Sequence, residues 1–365
     1  GLQTRYYEQL IEGYLLDNTH KVIVSLVPQA GKEEEDRVRE VEAMAKLKAG
    51  MTREELEAYA ADCAELHRRQ AEPDKPEDLA SIPILKRSDI RREIEKFTVR
   101  EEKLGNNTLL YVPAATNKIA YLNWYFDITG VDAKLLPYCY LLTDILGKFN
   151  TKRYTYEEIA TNSIMYTGGI AFNVRALSDT NNADDYKICF SLKAKVLMEN
   201  LTKLFDILQA VALESDLTDV KRFQELVGEV KTDWDSSFFN RGQAVAISRL
   251  YAYCSAAARV NEQDQFTYYQ FLKDLADNFA EKGTEALEVL RGLLGQFFQN
   301  TCYMLAYSCD EDLQEELRKA ALNFTEQLPQ SEIAGKAPNV IPLGEVNEGI
   351  TTAGKVQYVV AGGNF

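Results

Sequence analysis

The stretch that decides the fold is KIAYLNWYFDIT at residues 118–129. Tyr121, Asn123 and Tyr125 alternate with Leu122, Trp124 and Phe126, the two-residue period of a β-strand whose faces meet different surroundings. Residues 107–114 are also strand-like, and their separation from 118–129 by Ala115-Thr116-Asn117 predicts a hairpin. Thr155-Tyr156-Glu157-Glu158 is a capping box that opens a short helix. Gly168-Gly169 ends that helix, and residues 170–177 with 186–193 make a second strand pair. Helical spacing fills 135–149, 197–213, 217–234, 243–260, 267–280, 284–294 and 310–328, with one strand-like run at 301–308. Strands come as hairpins and helices as runs, without βαβ alternation. The expected class is therefore α+β, an antiparallel sheet covered by helices in an αβ sandwich.

Upstream, Tyr6, Leu10, Ile11, Tyr14 and Leu15 lie at helical spacing, and the alternation in HKVIVSLVP at 20–28 reads as a strand. From Gly31 the composition changes. Lys32-Glu33-Glu34-Glu35-Asp36-Arg37 begins a charged helix that stops at Gly50, a suitable residue just past a helix end. Thr52-Arg53-Glu54-Glu55 is a capping box for a second helix, which Pro73 and Pro76 end. Together they predict a long αα-hairpin acting as a charge-laced linker. The expected organisation is 1–31 as the end of a preceding α+β domain, 32–75 as linker and 76–330 as the main domain. A connector and one strand at 355–361, within 331–365, would open a further domain. With Gly1-Leu2-Gln3 in place of an initiator methionine, the expectation is a piece of a longer polypeptide.

The 365 residues carry 41 basic and 56 acidic side chains, a net charge of −15. That balance excludes a nucleic-acid binder and disfavours docking on an anionic membrane; its expected use is attraction of basic peptides. Six scattered cysteines without a CxxC pair suit a reducing compartment, and the cytoplasm is the expected location. Hydrolytic chemistry finds little material. The two histidines, His20 and His67, sit in neither HExxH nor HxxEH, and Arg68-Arg69-Gln70-Ala71 follow the second. Nucleophilic catalysis lacks a usable base for the same reason. Cys302 and Cys309, the nearest cysteine pair, are expected as small core residues on opposite faces of a strand. Gly168-Gly169 is a helix end leading into a strand, not a phosphate cradle. The expected catalytic and metal-ligand sets are empty.

These segments resemble, in order and spacing, the presequence-protease and falcilysin branch of the insulinase (pitrilysin-like) zinc metallopeptidases. The match is carried by Tyr14-Leu15-Leu16-Asp17-Asn18-Thr19-His20 and by the hairpin leading through Arg68-Arg69-Gln70 to Pro73-Asp74-Lys75-Pro76-Glu77. Leu85-Lys86-Arg87-Ser88-Asp89-Ile90, Asn117-Lys118-Ile119-Ala120-Tyr121 with Phe126-Asp127, Leu136-Pro137-Tyr138 and Thr167-Gly168-Gly169-Ile170 continue it. Arg241-Gly242-Gln243-Ala244 with Arg249, Tyr268-Tyr269-Gln270-Phe271-Leu272 and Val356-Gln357-Tyr358-Val359 complete it. The resemblance implies the non-catalytic C-terminal portion of a zinc metalloendopeptidase that degrades short unfolded peptides in a closed two-half chamber. Its zinc, its HxxEH motif and its catalytic half would belong to the N-terminal part of the same polypeptide, so this portion alone would bind no zinc and be inactive. A catalytically inactive binding or structural subunit of the same fold is the alternative. An unrelated helical adaptor would require residues 107–193 to lack strands.

Overall fold

The computed structural model describes residues 4–363 apart from 26, 28, 94–95, 181, 183–184, 331–339, 341, 345–346 and 352–355. Two compact units divide the chain, Gly1–Ile94 and Glu95–Phe365.

In the first unit, α1 (Tyr6–Leu10) continues as a π-helical turn, Ile11–Leu16, closed by the Asp17 N–H on the Glu12 carbonyl at 2.8 Å. α2 (Lys32–Gly50) and α3 (Arg53–Ala71) follow, then α4 (Pro76–Ser81) with proline in its first turn. The expected box forms at α3: the Glu55 N–H donates to Thr52 Oγ1 at 3.2 Å, and the Thr52 N–H donates to Glu55 Oε2 at 2.8 Å. Pairs such as Arg37–Glu34 and Arg39–Glu35 lace the helix surface. The apolar residues of the two helices stay in solvent, as suits a charge-laced linker: Val41, Met44, Tyr59 and Leu66 are all more than half exposed. These helices are held by capping and charge pairs, not by burial. The strand expected at 20–28 is corrected. Among the described residues there is no strand, and Val22, Ile23 and Val24 are 86%, 94% and 76% exposed. Alternation alone cannot hold a strand, which needs a neighbour to satisfy its N–H and C=O groups. Leu26 and Pro28 lie outside the described residues.

The second unit is built on one sheet: β1 (Arg100–Leu104), β2 (Asn107–Tyr111), β3 (Ile119–Asp127), β4 (Ile170–Ser178), β5 (Tyr186–Leu197) and β6 (Tyr303–Ser308). Their spatial order is β1-β2-β6-β3-β5-β4. All neighbours are antiparallel except β2 and β6, which run parallel. The hairpin expected between 107–114 and 118–129 is therefore corrected: β6 inserts between β2 and β3. The connection must step over one strand, and Asp310, just past β6, pins it. The Thr116 and Lys118 N–H groups donate to Asp310 at 2.9 and 2.5 Å. This holds Asn117 and Lys118 at φ 53° and 63°, left-handed conformations that side chains rarely adopt.

Nine α-helices belong to this unit, counted among the described residues: α5 (Leu136–Ile145), α6 (Tyr156–Tyr166), α7 (Leu201–Glu214), α8 (Val220–Asn240), α9 (Gly242–Cys254), α10 (Ala256–Glu262), α11 (Phe266–Asp277), α12 (Phe279–Phe297) and α13 (Gln314–Glu326). The single helix expected over 243–260 is two, α9 and α10, divided at Ser255, whose side chain caps the second through the Ala258 N–H at 3.3 Å. The core lies on one side of the sheet. Leu122, Trp124 and Phe126 of β3 are fully buried with Phe190 and Leu192 of β5 and Leu305 of β6. Phe190 packs on Phe297 and Phe298 with ring centres 4.9 and 5.1 Å away, and Trp124 meets Phe324 of α13 edge-on at 5.5 Å. The strand expected at 355–361 is also corrected: described residues 356–361 form none, and the Tyr358 ring lies where a Cβ on Gly242 would stand. Lys355 lies outside the described residues.

Candidate functional site

On the opposite face of the sheet Tyr121, Lys193 and Lys195 are exposed. The register brings Tyr121, Lys195 and Ser308 into one row and Asn123, Lys193, Ala306 and Ala171 into the next. Between them runs an open groove of about 530 Å³ crossing β6, β3 and β5 to the start of β4. Its walls are mostly apolar. Two backbone features shape its end. The Gly168 N–H donates to the Lys195 carbonyl at 2.6 Å, and the Lys195 N–H returns to Gly169 at 3.1 Å, extending the sheet by one step. The Lys195 stem occupies the space a side chain at Gly168 would need, and Gly169 holds φ +123°. The glycine pair thus leads from α6 into β4 and lets a lysine stem cross over it. A smaller hollow of about 220 Å³ adjoins, between the end of α6 and β5. Beside it Ile164 and Met165 are 82% and 63% exposed.

Asn123 sits at the groove's centre. Its Nδ2 donates to the Tyr125 hydroxyl at 2.5 Å, while Oδ1 is buried with no hydrogen-bond partner among the described residues. An unpaired buried acceptor is costly.

A second polar cluster lies on the helical side. Glu262, fully buried, accepts from Arg249 at 3.1 Å and from Arg259. Arg249 also binds Glu348 with two hydrogen bonds of 2.7 and 2.8 Å, and Tyr253 donates to the same carboxylate. These bonds hold the Glu348 carboxyl at about 2. With the Leu343 N–H donating to Ala252 at 3.0 Å, they fasten the connector after α13 onto α9. Nearby, the Tyr268 hydroxyl donates to Asp144 at 2.6 Å. Burial and the charge of Asp144 push the Asp264 carboxyl up to about 7. The Glu262–Arg249–Glu348 network satisfies its own charges, so it ties elements together rather than presenting a site.

The remaining candidates are dispersed. His20 and His67 are exposed and lie in the first unit, apart from both clusters in the chain. Among the described residues no group of three His, Cys, Asp or Glu could hold a metal ion, so the donor set does not fit zinc. All six cysteines are free. Cys302 and Cys309 flank β6 instead of lying on it, which corrects the opposite-face expectation. Burial pushes the Cys189 thiol up to about 12 and Cys309 up to about 11, far from nucleophilic thiolates. No described helix is long and apolar enough to cross a membrane.

The second unit is thus an α+β fold whose single sheet has a helix-packed core on one side and an apolar groove on the other. Residues 26–275 match the family of domains associated with peptidases of family M16, subfamily C, and the chain belongs to it. It is similar to Protein HypA of Clostridium perfringens, 28% identical over the whole chain and 37% of that protein. It is also similar to presequence protease 1 of Arabidopsis thaliana, 26% identical over 98% of the chain and 33% of that protein. The chain thus spans about a third of the length of these relatives. A crystal structure of pitrilysin superposes with a TM-score of 0.47 at 15% identity, over 69% of this chain and 25% of that one. The family and the presequence-protease branch agree with the resemblance read from the sequence, and the strands within 107–193 exclude the helical adaptor.

Proposed function

We propose that the chain is the non-catalytic wall of a zinc-dependent metalloendopeptidase, and that the open sheet face holds unfolded peptide against the catalytic half. The single observation that carries this is the one-sided sheet. Its inner face is packed with aromatic residues, while its outer face keeps an open, mostly apolar groove of about 530 Å³. A groove crossing four strands measures about 14 Å at the usual strand spacing, enough for roughly four extended residues. Such a surface favours extended chains and gives a folded protein little to insert. On this proposal, residues 1–31 close a preceding domain and 32–75 link it to the wall. The HxxEH motif, the zinc and the general base would be supplied by the N-terminal half, so no chemical step runs through this chain.

A photo-crosslinking residue at Ala306, in the groove, tests the assignment against the same residue at Lys319, exposed on α13. Labelling of an unfolded peptide from Ala306 alone supports it. Equal labelling from both positions, or from neither, overturns it. The alternative, an inactive binding subunit of the same fold, predicts the same crosslink but no HxxEH in the adjoining half.

A further inference from the structure

The open face has a charge opposite to that of the chain. Parity in the register assigns Glu101 and Lys103 of β1, Asp127 of β3, and Lys187, Lys193 and Lys195 of β5 to this face. Both acids are already matched: Lys103 pairs with Glu101 at 2.9 Å and Lys187 with Asp127 at 3.2 Å. Lys193 and Lys195 are exposed and have no carboxylate partner among the described residues. In a chain of net charge −15, this leaves unpaired ammonium groups on the apolar groove.

We propose that this face is a subsite for a peptide carboxylate, recognised by Lys193 and Lys195. This rests on the peptide-wall reading above and adds the chemistry of the bound segment. The two lysines stand two residues apart on one strand face, about 7 Å, so both ammonium groups can converge on one carboxylate. The Lys195 stem is fixed in course by its passage over Gly168. Asn123 pairs across the ladder with Lys193, and both line the groove, so the subsite adjoins the path of the bound segment. The carboxylate belongs either to an Asp or Glu side chain or to the peptide's C-terminus.

Fluorescence anisotropy of the full chain with labelled unfolded peptides tests this. Each peptide carries either one central Glu or Gln, and ends in either a free acid or an amide. Exposed ion pairs shift such an equilibrium by roughly 1.5- to fivefold each, so the carboxylate peptide should bind about three- to tenfold tighter than its neutral counterpart. The advantage should shrink with salt and vanish in Lys193→Met/Lys195→Met, where Met keeps much of the apolar stem and both sites are exposed. An advantage confined to the Glu/Gln pair assigns a side-chain carboxylate, and one confined to the acid/amide pair assigns the chain end. Equal binding of all four peptides, or an advantage that survives the double variant, overturns the subsite while leaving the peptide wall standing. Binding of none removes both.

Discussion

Replacing Asp264 by Asn should stabilise the protein in a way that depends on pH. The Asp264 side chain follows α10 and faces Asp144, Tyr268 and Tyr140, with Arg241 and Arg175 as the nearest compensating charges. Burial first, and Asp144 second, push its carboxyl up to about 7. An unfolded chain releases the same proton near 3.9. Between these values the folded protein holds a proton that the unfolded chain has lost. Stability from this group is therefore greatest below about pH 4, falls as pH rises to about 7, and is level above. Three pH units at 1.36 kcal/mol each set an upper figure of about 4 kcal/mol, and coupling to Asp144 reduces what one substitution recovers to about 2–4 kcal/mol. Urea unfolding followed by tryptophan fluorescence reads this, because Trp124 is fully buried. The Asn variant should match the wild type near pH 4 and exceed it by that amount near pH 8. A difference that stays constant across this range, or a variant less stable at pH 8, would refute the placement of an ionisable Asp264 in a low-dielectric site.

Two further outcomes probe the connections. Glu348→Gln weakens the double hydrogen bond from Arg249, so the Leu343 amide, which donates to Ala252 at 3.0 Å, should exchange faster while α12 amides keep their protection. Because the Glu348 carboxyl is held at about 2, below the usual 4.3, the wild-type tie should persist down to about pH 4 and loosen as pH falls towards 2. Asp310→Ala removes the acceptor for Thr116 and Lys118 and should lower the midpoint of thermal or urea unfolding. Adding Lys118→Gly should recover part of that loss, since Lys118 holds φ 63°; no recovery would argue against backbone strain there.

The alternation at 118–129 was legible because strand periodicity is local: Leu122, Trp124 and Phe126 are buried and Tyr121 is 44% exposed. Pairing is not local. Nothing near Ala115 reveals that β6, nearly two hundred residues on, separates β2 from β3. β1 escaped notice because Arg100-Glu101-Glu102-Lys103 is charged throughout, as an edge strand often is. The usable signal was the Gly105-Asn106 turn, where Gly105 holds φ +61°. The same periodicity at 20–28 and 355–361 gave no strands among the described residues, for want of a ladder. The groove was invisible for a related reason. It gathers Tyr121, Asn123, Lys193, Lys195 and Ala306 from three strands, and their common face is fixed only by the register.

Net charge was the least informative quantity, because a sum of charges carries no geometry. The value of −15 suggested a preference for basic peptides, yet a segment lying on the sheet meets Lys193 and Lys195 at contact distance. At physiological ionic strength the Debye length is about 8 Å, so acids on the far side of the helical layer are screened while groups lining the groove are not. The two fields act at different stages. On these proposals the global acidic field governs diffusional approach and favours cationic peptides at low salt, while the local cationic rows govern the bound state and favour a carboxylate. A peptide with a basic end and one acidic residue satisfies both. On the proposed subsite, salt should slow association of such a peptide and also weaken the Glu-over-Gln preference, and Lys193→Met/Lys195→Met should abolish the preference while leaving the salt dependence of association in place.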